Sequence, residues 1–274
     1  MSSLARSARR TAGQARHSTP LVALTRGGFV GYGLLHLAVA WLALQIALGH
    51  PTEEGDQSGA FQILLRQPFG RPLVIIVVVG LVAMALWQLL EAAIGHRDEH
   101  GTHRVLERLA SLARTVIYGA LAWTAWKVQS GTPTSSASQQ KDATAGMLAH
   151  SSGRALVAVA GLVVIAVGAG LIVYGAKRSF EKRLRIAQMS GRTRHTATRL
   201  GQVGYIAKGL AFGIVGILLF SAAVKNDPAR SAGLDGALRT LAGQPLGKLL
   251  LIVIAVGFAA FGVYCFFQSK YRKV

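Results

Sequence analysis

Three histidines that lie close together are the residues best placed to bind a metal ion. His96 and His100 are four positions apart and His103 follows, with Asp98 and Glu99 beside them. One helical turn could therefore present several of the nitrogen and oxygen ligands that zinc and similar ions use. The glycines and alternating charges of the same stretch, GHRDEHGTHR, equally describe a solvated linker. We favour the linker, and the sequence predicts no metal site and no cofactor.

His36 is the only histidine within a long apolar stretch of the sequence. An ionisable group inside a membrane often marks a functional site, and a neutral imidazole can relay protons or bind a metal. The only carboxylate within an apolar stretch is Glu91, near the end of its own stretch, and no second histidine is placed to share a haem. The sequence therefore favours a hydrogen-bonded histidine that packs between helices.

The sequence lacks the short motifs of common catalytic and nucleotide-binding sites. It contains no phosphate-binding GxxxxGK[ST] loop, no GxSxG nucleophile motif and no HExxH zinc motif. Its single cysteine, Cys265, excludes both a disulfide within the chain and a CxxC motif. We expect that this protein is not an enzyme.

The composition is that of a membrane protein. Of the 274 residues, 51% are hydrophobic and only 15% are charged, which is too apolar for an ordinary soluble domain. A helix that crosses the hydrocarbon layer needs about 20 mostly apolar residues, so run length is the test. Six membrane spans are predicted, at about 27–49, 72–94, 109–128, 155–176, 203–224 and 249–269.

The third and fifth spans need further argument because each contains a basic residue. Lys208 lies one turn inside the fifth span, and we expect its ammonium to extend to the lipid headgroups. Arg114 interrupts the third span, which hydropathy alone leaves undecided. With six spans and both termini in the cytoplasm, 19 basic residues lie in cytoplasmic segments and nine in external ones. Because basic residues concentrate in cytoplasmic loops, this count supports six spans.

The phrase QPFGR at residues 67–71 returns as QPLGK at residues 244–248, each time just before a predicted span. We expect the proline to end a short helix on the outer face, the glycine to turn the chain and the basic residue to anchor the next span. In a middle copy, Ser151 or Ser152 is expected to cap the span instead. A structural corner is favoured over a substrate contact. Its predicted residues are Gln67, Pro68, Gly70, Arg71, Gln244, Pro245, Gly247 and Lys248.

The repeated phrase belongs to a longer unit of two spans joined by a short outer helix, because VGY at residues 30–32 also returns at residues 203–205. Each unit has an even number of spans, so all copies have the same orientation. We therefore expect an all-α membrane protein with three tandem parallel two-helix repeats, related by a pseudo-threefold axis along the membrane normal. The predicted divisions are a basic cytoplasmic tail at 1–25, repeat 1 at 26–98, repeat 2 at 104–185, a basic cytoplasmic linker at 186–198 and repeat 3 at 199–274.

The third copy carries the strongest resemblance to a known family. VGYIAKGLAFGIVG (203–216), GLDGALRTLAGQPLGK (233–248) and VGFAAFGVYCFFQSKYRKV (256–274) resemble the last repeat of a family of actinobacterial integral membrane proteins of unknown function. The resemblance extends over all three copies and implies six spans in a bacterial cell membrane. It implies no activity and no catalytic residues. Mitochondrial carriers share the three-by-two plan, but this sequence lacks their proline, acid and base signature.

A basic segment at residues 177–199 supplies candidate ligands for lipid headgroups. We expect its stretch KRSFEKRLR to continue the fourth span as a helix, and basic residues near a membrane surface attract anionic lipids. The positive-inside rule accounts for most of the net charge of +19, so nucleic-acid binding is not predicted. The candidates are Lys177, Arg178, Lys182, Arg183 and Arg185.

Two classes of function follow from these observations. The sequence favours a non-enzymatic protein that organises the membrane or binds lipids or protein partners, because the spans are almost uniformly apolar at their middle apart from His36. The alternative is a small-solute transporter or channel that uses the axis between the repeats. A polar interior along that axis would favour transport, and a packed apolar interior would oppose it.

Overall fold

Nine α-helices make up the part of the chain described by a computed structural model, which covers residues 19–50, 53–94, 101–132 and 135–273. Three short 3₁₀ helices, at Ser179–Arg183, Ile186–Gln188 and Pro228–Ser231, lie between them. The prediction of an all-α protein is confirmed. The α-helices are α1 (Thr19–Leu48), α2 (Gln57–Leu65), α3 (Gly70–Ile94), α4 (Gly101–Gln129), α5 (Ser136–Leu148), α6 (Ser151–Ala176), α7 (Gly191–Lys225), α8 (Gly233–Ala242) and α9 (Gly247–Tyr271).

Five of the long helices are long and apolar enough to cross a membrane, namely α1, α3, α6, α7 and α9. They contain most of the residues of the first, second, fourth, fifth and sixth predicted spans. The remaining long helix, α4, has 29 residues but carries charged side chains that include Glu107, Arg108 and Arg114. Its length is sufficient, because about 20 helical residues cross the hydrocarbon layer. Its composition places it outside the group of five.

The six long helices form a row in which each packs against the next, in the order α4, α3, α1, α9, α7, α6. The two ends of this row, α4 and α6, are the long helices of the middle repeat. Among the described residues they make almost no contact with each other. The row is therefore not closed between α4 and α6, and a pseudo-threefold arrangement is not confirmed.

Glycine lets neighbouring long helices approach closely. A Cβ atom at Gly209 would lie 2.5 Å from the carbonyl oxygen of Gly168, across the α6–α7 contact. A Cβ atom at Gly28 would lie 2.5 Å from the carbonyl oxygen of Gly80, across the α1–α3 contact. Small residues at helix contacts are typical of membrane helices, which associate through close van der Waals packing.

The short helices α2, α5 and α8 lie together on one side of the bundle, which we call the short-helix side. Glu54 accepts hydrogen bonds from the Ser135 hydroxyl and, at 3.0 Å, from the Ser136 N–H, which joins repeat 1 to repeat 2. Asp235 accepts from the Gly55 N–H at 2.7 Å, which joins repeat 3 to repeat 1. The large apolar core reaches this side through residues such as Leu42, Ala125 and Leu238. The bundle is therefore packed on the short-helix side.

Asp56 caps the start of α2, with its carboxylate accepting hydrogen bonds from the N–H groups of Ser58 and Gly59. The pKa of this carboxyl is raised to about 6, chiefly by burial and also by the neighbouring Glu54, although the two N–H groups act to lower it. Acidic groups therefore gather where the repeats meet on the short-helix side.

The two repeated corners form the same hydrogen-bonded turn. The N–H of Gly70 donates to the Gln67 carbonyl at 2.8 Å, and the residue between Pro68 and Gly70 has a φ of 62°. Proline followed by a positive φ is the pattern of a type II turn. Pro68 follows the end of α2, as predicted. The prediction that glycine turns the chain is wrong, because Phe69 and Leu246 occupy the left-handed position.

The corner glycines are required by close approach instead. A Cβ atom at Gly70 would lie 2.2 Å from the Leu65 carbonyl oxygen, and one at Gly247 would lie 1.9 Å from the Leu241 carbonyl oxygen. Gly153 holds the same position in the middle repeat. The predicted cap by Ser151 or Ser152 there is wrong, because His150 is the N-cap and α6 begins at Ser151. The other corner residues, Gln67, Pro68, Arg71, Gln244, Pro245 and Lys248, are exposed.

Candidate functional site

Lys208, near the middle of α7, points into the bundle. Its Nζ lies 3.1 Å from the Tyr32 hydroxyl oxygen and 3.1 Å from His36 Nε2. The prediction that Lys208 extends to the lipid headgroups is wrong. The reason is the packing of α7: its neighbours Gly204 and Ala207 are buried against α9, which turns this face of the helix towards α1 and α9.

Aromatic rings surround the Lys208 ammonium. Its Nζ lies 4.1 Å from the centre of the Phe261 ring and 5.2 Å from the centre of the Tyr32 ring, both within range of a cation–π interaction. Tyr118 of α4 packs edge-on against Tyr32 at 5.6 Å. Among the described residues, no carboxylate lies within ion-pair distance of Lys208. The Lys208 ammonium is therefore stabilised by hydrogen bonds and ring contacts with uncharged side chains of α1 and α9.

His36 bridges the backbone of its own helix and Lys208. Its Nδ1 lies 2.8 Å from the Tyr32 carbonyl oxygen, which can only accept, so Nδ1 carries the proton. Nε2 is then free to accept an N–H from Lys208 at 3.1 Å. The imidazole also packs against Phe261, with 4.7 Å between ring centres. His36 is therefore hydrogen bonded and packed between helices, and it also orients the lysine.

A second group of charged residues lies on the side of the bundle opposite the short helices. Arg183 pairs with Glu107 of α4 at 2.9 Å, and Arg114 donates to the side chain of Gln88 at 3.2 Å. The guanidinium of Arg272 lies 5.0 Å from the centre of the Phe29 ring. Of the charged side chains named here, three are basic and one is acidic, so this group carries a net positive charge.

The segment at residues 177–190, which we call the strap, links the end of α6 to the end of α9 and to α4 on this side of the bundle. Helix α6 ends at Ala176, and Arg178 has a φ of 53°. The prediction that KRSFEKRLR continues the helix is wrong, because the left-handed Arg178 turns the chain and Phe180 is buried. The N–H of Arg185 donates to the Tyr271 carbonyl at 2.7 Å, which fixes the strap to the end of α9.

The strap brings three of the five predicted lipid-binding residues around one open cavity of about 780 Å³. These are Lys177, Arg178 and Lys182, and Arg194 and His195 of α7 line the same cavity. Arg183 instead pairs with Glu107, and Arg185 does not line this cavity. Glu181 is the acidic residue of the cavity, and it pairs with Arg194 at 3.5 Å.

The predicted metal ligands His96 and His100 lie outside the described residues, as does the side chain of His103. In the described ranges, no three or more histidine, cysteine, aspartate or glutamate side chains form a group that could hold a metal ion. Cys265 is a buried free cysteine of α9.

Sequence reasoning did not predict the group formed by Tyr32, Tyr118 and Lys208. The repeated VGY triplet was the available signal, because its tyrosines, Tyr32 and Tyr205, both pack against Phe261. A tyrosine conserved between two copies inside a span indicates a polar contact. Its partner lysine has no counterpart in repeat 1, where Leu35 aligns with Lys208.

The fold and the repeated corners define a multi-pass helical membrane protein with three tandem repeats. The chain belongs to the family described as Domain of Unknown Function (DUF1206), whose model matches residues 27–95, 109–178 and 203–272. The resemblance to a three-repeat family of unknown function is thereby confirmed. The chain is similar to the "Uncharacterized protein YxxB" of Bacillus subtilis (strain 168), with 29% identity over 251 residues, which cover 91% of this chain and 90% of the relative. No solved structure matches.

Proposed function

We propose that the chain is a six-span protein of the bacterial cell membrane with α4 as the sixth span. The contacts of α4 support this assignment, because its charged residues face protein: Arg114 reaches Gln88 of α3, and Glu107 reaches Arg183 of the strap. Both termini then lie in the cytoplasm with the strap, and the short helices lie outside. The three repeats follow a pseudo-threefold plan whose ring is open between α4 and α6.

This topology predicts opposite labelling of two single cysteines. In a variant with Cys265 replaced by serine, a cysteine at the exposed Ser138 of α5 should react with a membrane-impermeant maleimide in intact cells. A cysteine at the exposed Ala187 of the strap should react only after lysis. Labelling of Ala187→Cys alone in intact cells would contradict the proposed topology, because it is the pattern expected if the whole protein were inverted or if α4 did not cross. Labelling of both would mean that the two positions share a side, which contradicts α6, the long helix between them, as a span.

The proposed role is binding of anionic lipids of the cytoplasmic leaflet, without catalysis. The observation that carries it is the cavity shared by Lys177, Arg178, Lys182 and Arg194. This cavity lies at the end of α6, whose side chains are mostly exposed along the helix, so in a bilayer lipid would cover α6. Each basic residue near a membrane surface contributes about 1 kcal/mol to the attraction of anionic lipid. No nucleic-acid partner is proposed.

A charge-neutral strap should lose its preference for anionic lipid. We expect the triple variant K177Q/R178Q/K182Q to bind phosphatidylglycerol at least tenfold more weakly than the unmodified protein, because roughly 1 kcal/mol per basic residue is lost. Binding to phosphatidylcholine should stay the same. Native mass spectrometry of the detergent-solubilised protein with each lipid measures both.

The matched control for the strap removes the same charge from the short-helix side. R71Q/K225Q/K248Q replaces three exposed basic residues there, and it should keep the preference for phosphatidylglycerol. Equal losses in the two triple variants would show that only net charge matters. An unchanged preference in the strap variant would contradict the proposed site.

A transporter is the second candidate, and the inward-facing Lys208 favours it, because transport sites carry polar groups inside the membrane. The packed core on the short-helix side would have to open for a solute to pass. Saturable uptake of an anion into proteoliposomes, lost in K208Q, would favour transport over lipid binding.

A further inference from the structure

We infer that Lys208 and Tyr32 form a binding site for a carboxylate group inside the bundle. The lysine ammonium has three N–H donors. Two of them are accounted for by the Tyr32 hydroxyl oxygen and His36 Nε2, each at 3.1 Å. One N–H donor remains, on a side chain that is only partly buried.

Tyr32 supplies the second donor of the site. Its hydroxyl oxygen accepts from Lys208, so the hydroxyl proton is available to another acceptor. Within the described part of the chain, no acceptor is hydrogen bonded to this proton. Tyr32 is also only partly buried. Two donors therefore lie side by side, 3.1 Å apart, and they match the two oxygens of a carboxylate.

The charge of the site selects a monovalent anion. Lys208 contributes one positive charge, and the groups in contact with it, Tyr32, His36 and Phe261, leave that charge uncompensated. A cation inside a membrane is costly unless it is paired, so an anion with one charge would stabilise it. The basic groups near the strap, such as Arg114 and Arg272, would attract that anion from the strap side.

The surroundings suit a carboxylate with an apolar remainder. Phe258 and Phe261 pack against the His36 ring at 6.3 and 4.7 Å, and the apolar core continues from Phe258. Among the described residues α4 and α6 make almost no contact, so an entry route for a bilayer lipid between these two helices is part of the proposal. The same chemistry can therefore come from two sources, a short carboxylate in the cytosol or a fatty acid in the bilayer.

Equilibrium binding of radiolabelled oleate and propionate to the purified full chain tests the site. We expect saturable binding of one or both with a stoichiometry of one. Loss of the charge in K208Q should abolish this binding. Y32F keeps the lysine and removes one hydroxyl, and it should weaken binding about tenfold, since one hydrogen bond to a charged group is lost. Binding of oleate alone would identify the bilayer as the source, and binding of propionate alone the cytosol.

Two controls separate this site from the strap. K225Q removes an exposed lysine of the same helix, and K177Q/R178Q/K182Q removes the strap charge; both should bind the carboxylate as the unmodified protein does. If K208Q does not fold, Y32F still decides the question. Absence of saturable binding, or binding unchanged in Y32F, would overturn the assignment, whatever the strap variants do with phosphatidylglycerol.

Discussion

Replacing Gly247 with alanine should destabilise the protein by about 3 kcal/mol, at the upper end of the usual cost of overpacking. The added Cβ would lie 1.9 Å from the Leu241 carbonyl oxygen, so either the end of α8 or the start of α9 must move. A backbone atom of a helix cannot rotate away as a side chain can. In a protein of this size 1 kcal/mol corresponds to about 2–4 °C, so the melting temperature should fall by roughly 6–12 °C. Size-exclusion chromatography after heating in detergent measures it.

Gly243 provides the matched control, because it lies in the same corner. Its φ is −78°, and the nearest atom to an added Cβ is 3.7 Å away. Gly243→Ala should therefore leave the melting temperature within a few degrees of the starting value. Gly70→Ala and Gly153→Ala should resemble Gly247→Ala, since the same carbonyl contact occurs in each repeat. Equal melting temperatures for Gly247→Ala and Gly243→Ala would contradict the close-approach explanation.

The corner shows what repetition in a sequence can and cannot reveal. Gly70 and Gly247 recur at matching positions, which correctly indicated a structural constraint. The kind of constraint depends on the distance between two helices, and no short phrase encodes it. Proline and glycine together suggested a glycine turn, whereas Phe69 and Leu246 take the positive φ and the glycines admit a neighbouring carbonyl oxygen.

The membrane helices were predictable because length and hydropathy are local properties. The ends of these helices were less predictable. Helix α7 begins at Gly191, well before the predicted span at 203–224, and hydropathy did not reveal its first turns because they are polar. The order of helices in the row could not be predicted. When a helix is apolar on all sides, its sequence pattern does not indicate which face contacts which neighbouring helix.

Lys208 illustrates the same limit at the candidate site. Its position one turn inside the predicted span suggested that the ammonium reaches the headgroups. That argument considers only the depth of the residue in the membrane and not the direction of its side chain. The direction of the side chain is set by which face of α7 contacts α9, through Gly204 and Ala207. Only the structure places Tyr32, from 176 residues away, against the lysine. The interior is consequently more polar than the sequence suggested.

Replacing Phe180 with alanine should release the strap while the bundle stays folded. Phe180 is 1% exposed, stacks on Tyr205 at 5.4 Å and packs edge-on against Tyr264 at 5.3 Å. Truncation of a buried phenylalanine to alanine costs about 3–5 kcal/mol. We expect this loss of stability to affect the strap rather than the bundle. Apart from the Phe180 ring, the strap is held to the end of α9 mainly by two backbone hydrogen bonds, one donated by the Arg185 N–H and one accepted by the Arg183 carbonyl. Cleavage by trypsin within 177–190 then becomes about a hundredfold faster or more, since it follows the open population.

Phe69→Ala is the control for strap release, because it deletes the same atoms from a ring that is 85% exposed. Trypsin should cut the strap of this variant at the original rate, and both variants should elute from size-exclusion chromatography as the unmodified protein does. If Phe180→Ala is also cut at the original rate, the backbone bonds to α9 and the ion pair between Arg183 and Glu107 hold the strap without the ring. If Phe180→Ala instead aggregates, the strap belongs to the cooperative core and cannot open alone. Faster cleavage of the strap in an otherwise folded Phe180→Ala protein is the result that identifies it as a separately opening segment.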